Sequence, residues 1–522
     1  MKRINYIYLM ILLAFSFGCE DEVLDLVPKD ALAENTAYAS PSTIELAING
    51  VYDAAQSGFY RGSEALNRGY IFGAAHIQQG DMRGEDMLLI NTFYGFTYQA
   101  TYTPVTENNR YYWENGYRVN NLANLFIQGV EGAIEGGVID EATGQAYIAE
   151  ARFLRGITYH EMVIHFSRPY RDGNGSNPGL PIVLTANNGP AAVEENAGLG
   201  RSTVAETYDQ ILEDLDYAEE FLPVTRGGSR LNVTRATQGA AIAFKTRVYL
   251  HMGDYDKVKE EANKIVSASA PFSGGGYELT DSPFGPFENN TSSENIFSMN
   301  MSENDNLTVN AALANMYGSS ALGARGEVAI SPIIWNQTFW HPDDLRRSSL
   351  FVAAGASGRL FTRKYNDYTN NTDFSPILRY AEVLLNLAEA EARTGNLTRG
   401  SELLNAVRDR NISGSMTSYG SVASQNLLIE RILQERRIEY LAEGQRWKDI
   451  HRNAVDPDFS TGGIPAKMLS ADVNGSTYSI GSTDLSTNVG FIPYSDFRFL
   501  WPLPATETTI NPTLAAQQNP GY

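Results

Sequence analysis

His160-Glu161-Met162-Val163-Ile164-His165 comes close to the helix on which zinc proteases carry their metal, two histidines around a glutamate. Those enzymes need the histidines four residues apart, about 40° around the helix, so that both rings reach one ion. Five residues separate them here, which turns the second ring about 140° from the first. The two read as partly buried histidines on a packing helix. Asp172, Asn174 and Ser176 repeat the oxygen spacing that opens a calcium loop, but Val183 stands where the bidentate acid is required, so the segment reads as a turn. Glu435, Glu439 and Glu443 fall every four residues beside Arg436, Arg437 and Arg446. Paired carboxylates could flank a glycosidic bond. Acids on one helix face with arginines beside them instead predict a ladder of ion pairs along that helix. The chain has no G-x-S-x-G elbow, no phosphate-binding P-loop and no dinucleotide fingerprint in a strand–helix setting. No catalytic group, metal set or cofactor is expected.

The single cysteine, Cys19, suggests a different chemistry. It closes an apolar run, Ile4 to Phe17, that follows Lys2 and Arg3 and ends at Gly18. A charged start, a short apolar stretch and a small residue at the break form a secretory signal. The run is shorter than the roughly 20 residues a bilayer crossing needs. Cys19 is thus expected to begin the mature protein and to carry lipid rather than a disulfide. Removal of residues 1–18 leaves 522 − 18 = 504 residues and a formal charge of 38 − 61 = −23. So acidic a chain repels phosphate backbones and anionic membrane surfaces, which excludes nucleic acid as a partner and leaves lipid as the membrane attachment.

The elements that must position any site read as helices separated by long polar loops. Thr203 and Glu206 form a capping box ahead of Val204, Tyr208, Ile211, Leu212, Leu215 and Ala218, all on one helical face, and Leu222-Pro223 ends the helix. Segments 241–266 and 378–408 each read as two helices joined at a tight turn, Gly253-Asp254 and Gly395-Asn396, with small residues where the helices touch. This is the arrangement of a tetratricopeptide (TPR) unit. Residues 149–166 with 203–222 would make a further pair, split by a polar loop. Such pairs bury their faces against one another and stack into a scaffold. Stretches 67–112, 167–200, 270–345 and 455–500 carry Gly, Asn, Ser, Pro and aromatics with little helical period, and long loops of this kind usually hold function.

In the last third, Glu435-Arg436-Arg437-Ile438-Glu439-Tyr440-Leu441-Ala442-Glu443-Gly444-Gln445-Arg446-Trp447-Lys448-Asp449-Ile450 resembles the signature helix of the SusD/RagB family, outer-membrane nutrient-capturing lipoproteins of Bacteroidetes. The ending from Trp501-Pro502-Leu503-Pro504 to Asn519-Pro520-Gly521-Tyr522 resembles the family's closing segment. Ala149–Gly156 with Tyr159 and Leu180-Pro181-Ile182, Arg379–Leu385 with Ala388–Ala390, and Trp113, Tyr117 and Asn120–Asn124 resemble further family helices in order.

The resemblance implies a mostly α fold of four TPR-like helix pairs, about 36–60, 113–166, 203–268 and 376–450, packed against a loop-rich half with short strands. It implies a signal at 1–18, a tether at 19–28 and one domain over 29–522. Glu20 to Glu22 resemble the family's surface-export signal, so the protein would face the exterior from the outer membrane. Its role would be to bind a glycan and pass it to a SusC-like TonB-dependent transporter as a lid, without catalysis. Peptide cargo, as in RagB-like members, is the alternative, and a lipoprotein glycoside hydrolase the more distant one. The family's signature helix is structural. Ligand contacts are expected instead from the loop before Trp113, at Asp81, Arg83, Asp86, Asn91, Phe93 and Tyr94, and from Trp335 and Trp340. For each aromatic the competing expectation is core packing, and for Arg83 an ion pair with Glu85 or Asp86.

Overall fold

A computed structural model describes residues 34–63, 66–306 and 309–522. Cys19, the signal and the tether lie outside the described residues. Helices α1 (Pro41–Gln56), α2 (Ala74–Arg83), α3 (Gly95–Tyr98), α4 (Glu107–Glu135), α5 (Glu141–Phe166), α6 (Val204–Phe221), α7 (Gln238–Met252), α8 (Tyr255–Ala262), α9 (Tyr380–Arg393), α10 (Leu397–Asp409), α11 (Gln425–Glu439) and α12 (Gln445–Arg452) dominate the architecture. The mostly α expectation holds.

Local chemistry sets where these helices begin and stop. Thr203 caps α6 with the reciprocal bonds to Glu206 that the sequence predicts, and Leu222 ends it in extended backbone. Gly253 and Gly395, at φ 78° and 90°, make the left-handed turns that fold α7 onto α8 and α9 onto α10. Between them the helices α1 with α4, α4 with α5, α5 with α6, α7 with α8 and α9 with α10 pack as neighbours. Close approach demands small residues: a Cβ on Gly116 of α4 would stand 2.3 Å from the Met162 sulfur of α5. One continuous apolar core runs through these pairs, from Ile44 and Ile48 through Leu154, Phe244 and Leu384 to Trp447 and Trp501.

Short antiparallel strand pairs mark the other half. β1 (Met87–Leu89) pairs with β3 (Val328–Ile330), placing Leu88 opposite Ala329, and β2 (Asn295–Met299) pairs with β4 (Ser375–Arg379). A second apolar core of Ile77, Met87, Tyr94, Tyr317, Trp340, Tyr365 and Leu441 lies behind β1 and β3. One expectation fails here. The stretch 67–112 read as loop, yet it contains α2, every residue of which is buried. Its polar side chains are buried with its apolar ones, Gln79 against Thr97, Asp81 against Tyr317 and Arg83 against the Phe499 carbonyl, so the sequence lacks the solvent-facing polar stripe that marks a surface helix.

The charged helix also differs from the ladder expected. Glu435, Glu439 and Glu443 do not pair along their own helix. Glu435 meets Arg346 at 2.6 Å, Glu439 meets Arg379 and Arg410 at 2.9 Å each, and Glu443 meets Lys364 at 2.6 Å and Arg379 at 2.8 Å. The side chains of all these groups lie in the interior, each no more than 6% exposed. Burial opposes ionisation of Glu439, but Arg410, Arg379 and Arg346 overcome it and hold its carboxyl well below the usual range. The network therefore ties α11 to β4 and to the loops carrying Arg346 and Arg410. His160 and His165 are fully buried rather than partly so, and they face different neighbours. His160 packs on His251 and Phe244, whereas His165 stacks on Trp501 at 4.3 Å between ring centres. The Asp172 segment forms a tight 3-10 turn whose Asp172 accepts from the Tyr494 hydroxyl at 2.6 Å.

Candidate functional site

The loop from α2 to α4 carries most of the residues expected to meet a ligand, and the structure divides them sharply. Asp81, at the end of α2, is 3% exposed and accepts from the Tyr317 hydroxyl at 2.6 Å and the Gly444 amide at 3.0 Å. Burial, only partly offset by those two bonds, pushes its carboxyl up to about 7. Arg83 is wholly buried, its guanidinium carbon 3.5 Å from the centre of the Trp447 ring, and it donates to the Phe499 carbonyl. It does not pair with Glu85 or Asp86. Those acids are held by Arg437 and Arg446 instead: Arg446 meets Glu85 at 2.6 Å, and Arg437 donates to Asp86 at 3.0 Å. Burial opposes ionisation at Glu85, yet the two arginines hold it down at about 2.

The aromatics divide the same way. Tyr94 is 1% exposed and packs edge-on to Phe93 at 4.8 Å. Phe93 is half-buried against Tyr60. Trp340 is buried and Trp335 half-buried; their rings meet at 5.3 Å, and the Arg347 guanidinium lies over both, 4.4 and 4.3 Å from the two centres. Arg347 also donates to the Trp335 and Trp340 carbonyls at 2.7 and 2.8 Å. Asp81, Arg83, Asp86, Tyr94 and Trp340 thus serve the interior, because each already has its partners or its packing there. Asn91 alone of the eight lies exposed on a cavity.

That cavity, about 420 Å³, opens where β1 runs out into α3. Ile90, Asn91 and Thr92 form one wall, Phe96 and Gln99 of α3 with Thr101 another, and Leu469 and Ser470 close the third. Phe96 is 54% exposed, an aromatic ring facing solvent at the mouth of a cleft. Asn91, Thr92, Gln99 and Thr101 are exposed beside it. The floor is stiff. Tyr98 is buried and donates its hydroxyl to the Met468 carbonyl at 2.8 Å, while Lys467 beneath it donates to the Met82 and Tyr98 carbonyls at 2.7 and 2.9 Å. A flat apolar ring with amides and hydroxyls around it can stack on the carbon face of a sugar while bonding its hydroxyls. Phe96 and Gln99 lie two and five residues past the stretch singled out in the sequence. Leu469 and Ser470 arrive from the far end of the chain, with no local signal.

A larger cavity, about 530 Å³, opens on the helical half beside Glu45, Tyr147, Glu150, Arg226 and Arg235. Its charged groups satisfy one another, with Arg235 2.6 Å from both Glu45 and Glu150, so they offer a ligand less. Among the described residues no cluster of three or more His, Cys, Asp or Glu could hold a metal, and no helix is long and apolar enough to cross a membrane.

Comparison with known proteins adds an independent line. Residues 356–522 match the model of the SusD family, and residues 24–250 match one described as starch-binding, associating with the outer membrane. The chain is 26% identical to SusD-like protein P2 of Formosa agariphila, over the full length of both. Among solved structures, a SusD superfamily protein from Bacteroides fragilis is 26% identical, covering 91% of this chain and 99% of its own, with a TM-score of 0.73. A laminarin-binding SusD-like protein shares the fold at a TM-score of 0.68 and 18% identity, over 93% of this chain and all of its own.

Proposed function

Because this chain belongs to the SusD/RagB family, we propose that it captures a glycan at the Phe96 cleft and delivers it to a SusC-like TonB-dependent transporter. The observation that carries the reading is the cleft itself: an exposed ring ringed by amides and hydroxyls, on a floor too tightly bonded to collapse. The family description of the N-terminal match, starch-binding and associated with the outer membrane, and a fold neighbour that binds laminarin both support it. Capture needs no bond made or broken. The acids that could have served a hydrolase, Glu435, Glu439 and Glu443, are buried against Arg346, Arg379 and Lys364.

A lipid at Cys19 would tether the protein outside the outer membrane, and tethering raises its effective concentration at a transporter's mouth, as a lid requires. Affinity electrophoresis of residues 20–522 through polysaccharide gels tests the capture. Retardation without released product supports it, and release of sugar would make the protein a hydrolase. Co-purification with a TonB-dependent transporter from membranes tests the delivery.

A further inference from the structure

We infer that the cleft selects uncharged glycans, a specificity that rests on the capture reading above. No Lys, Arg, His, Asp or Glu lines it: its polar groups are the side chains of Asn91, Thr92, Gln99, Thr101 and Ser470. A uronate or sulfate bound there would give up part of its hydration without meeting a counter-charge in the lining. Proteins that recognise such groups supply arginine or lysine, preferably in bidentate geometry.

Two cations, Arg359 and Lys467, bond to the backbone of the cleft's lining without lining it themselves. Arg359 donates to the Ser470 carbonyl at 2.7 Å. Lys467 lies under the floor, 1% exposed, bonded to two carbonyls. Arg437 and Arg446 do not line it and are paired with Glu85 and Asp86. The whole molecule adds to the discrimination, since a formal charge of −21 over the full chain repels a polyanion before it reaches the cleft. Neutral sugars meet no such barrier. Phe96 offers them stacking, and the amides and hydroxyls exchange bonds with water at little electrostatic cost.

The test is retention of residues 20–522 by gels of laminarin and dextran, both neutral, and of polygalacturonate and alginate, both uronates, at about 0.01 and about 1 M salt. Retention by a neutral polymer, equal at both salts and weakened about tenfold by Phe96→Ala with an unchanged melting temperature, is expected. Retention by a uronate polymer that salt abolishes overturns the selectivity while leaving glycan capture standing. Neutral retention untouched by Phe96→Ala overturns the assignment to this cleft. Retention by none of the four overturns the selectivity and removes the capture reading beneath it.

Discussion

At the scale of single residues, Phe96 and Tyr94 stand two positions apart and should behave oppositely. Tyr94 fills the second core at 1% exposure, and its truncation to alanine should cost about 3–5 kcal/mol, read as a large fall in melting temperature. Phe96 faces solvent, so Phe96→Ala should change stability by no more than about 0.5 kcal/mol while weakening glycan retention. Titratable groups give a second prediction. Burial depresses the imidazoles of His76, His160, His165, His251 and His451, the third and fifth of these to about 3. A depressed histidine stabilises the fold above its ordinary value of 6.5, and that contribution is lost as pH falls toward 3. Asp81 has the opposite sign. Its folded value of about 7 exceeds the ordinary 3.8, so its contribution is complete below 3.8 and disappears as pH rises through 7. Melting temperature should therefore fall on acidification from pH 7 to 4, and Asp81→Asn should make the fall steeper. A shallower fall in that variant would contradict the burial argument.

At the scale of elements, the helix leading into the proposed cleft is anchored to the signature segment by contact too close for side chains. A Cβ on Gly80 of α2 would stand 2.2 Å from the Gly444 carbonyl oxygen, and Gly444 itself holds φ at 72°. Gly80→Ala should cost about 1–3 kcal/mol through forced backbone shifts, measurable by urea unfolding. Because α2 leads directly into β1 and the cleft, the same variant should also loosen Lys467 from the Met82 carbonyl. Arg379 is the other hinge of this joint, bonding Glu294, Glu439 and Glu443 at once. Arg379→Ala would take one cation from three buried carboxylates, leaving Glu294 and Glu439 to Arg410 and Glu443 to Lys364, and should cost about 3–5 kcal/mol, seen as loss of soluble folded protein. The signature helix is thus explained by the joint it makes: its acids bind arginines from other elements, and its glycine admits α2.

At the scale of the whole molecule, stacked helix pairs provide a rigid body and the loop-rich half displays the cleft. Association with a membrane rests on lipid in the proposed role, so Cys19→Ala should move the protein from the membrane fraction to the soluble one. Retention in the membrane would refute the anchor. Net acidity should leave neutral-glycan binding flat with salt, as a screened long-range repulsion does not act on an uncharged ligand.

The sequence by itself determined what depends on local order: the capping box at Thr203, the glycine turns at 253 and 395, the helix pairs, and the resemblance to the SusD/RagB family through distinct motifs in order along the chain. It also singled out the stretch that ends beside the proposed cleft, since Asn91 and Phe96 belong to one loop. Which face each side chain of that loop presents was decided only by the tertiary structure. Asp81, Arg83 and Asp86 have the types that bind ligands, yet Tyr317, Trp447 and Arg437, each more than two hundred residues away, draw them inward. Leu469 and Ser470 complete the cleft from a distant loop for the same reason. Spacing along the chain encodes helices because their bonds are local. The division between a buried partner and an exposed contact depends on what arrives from elsewhere, and only the folded chain brings it there.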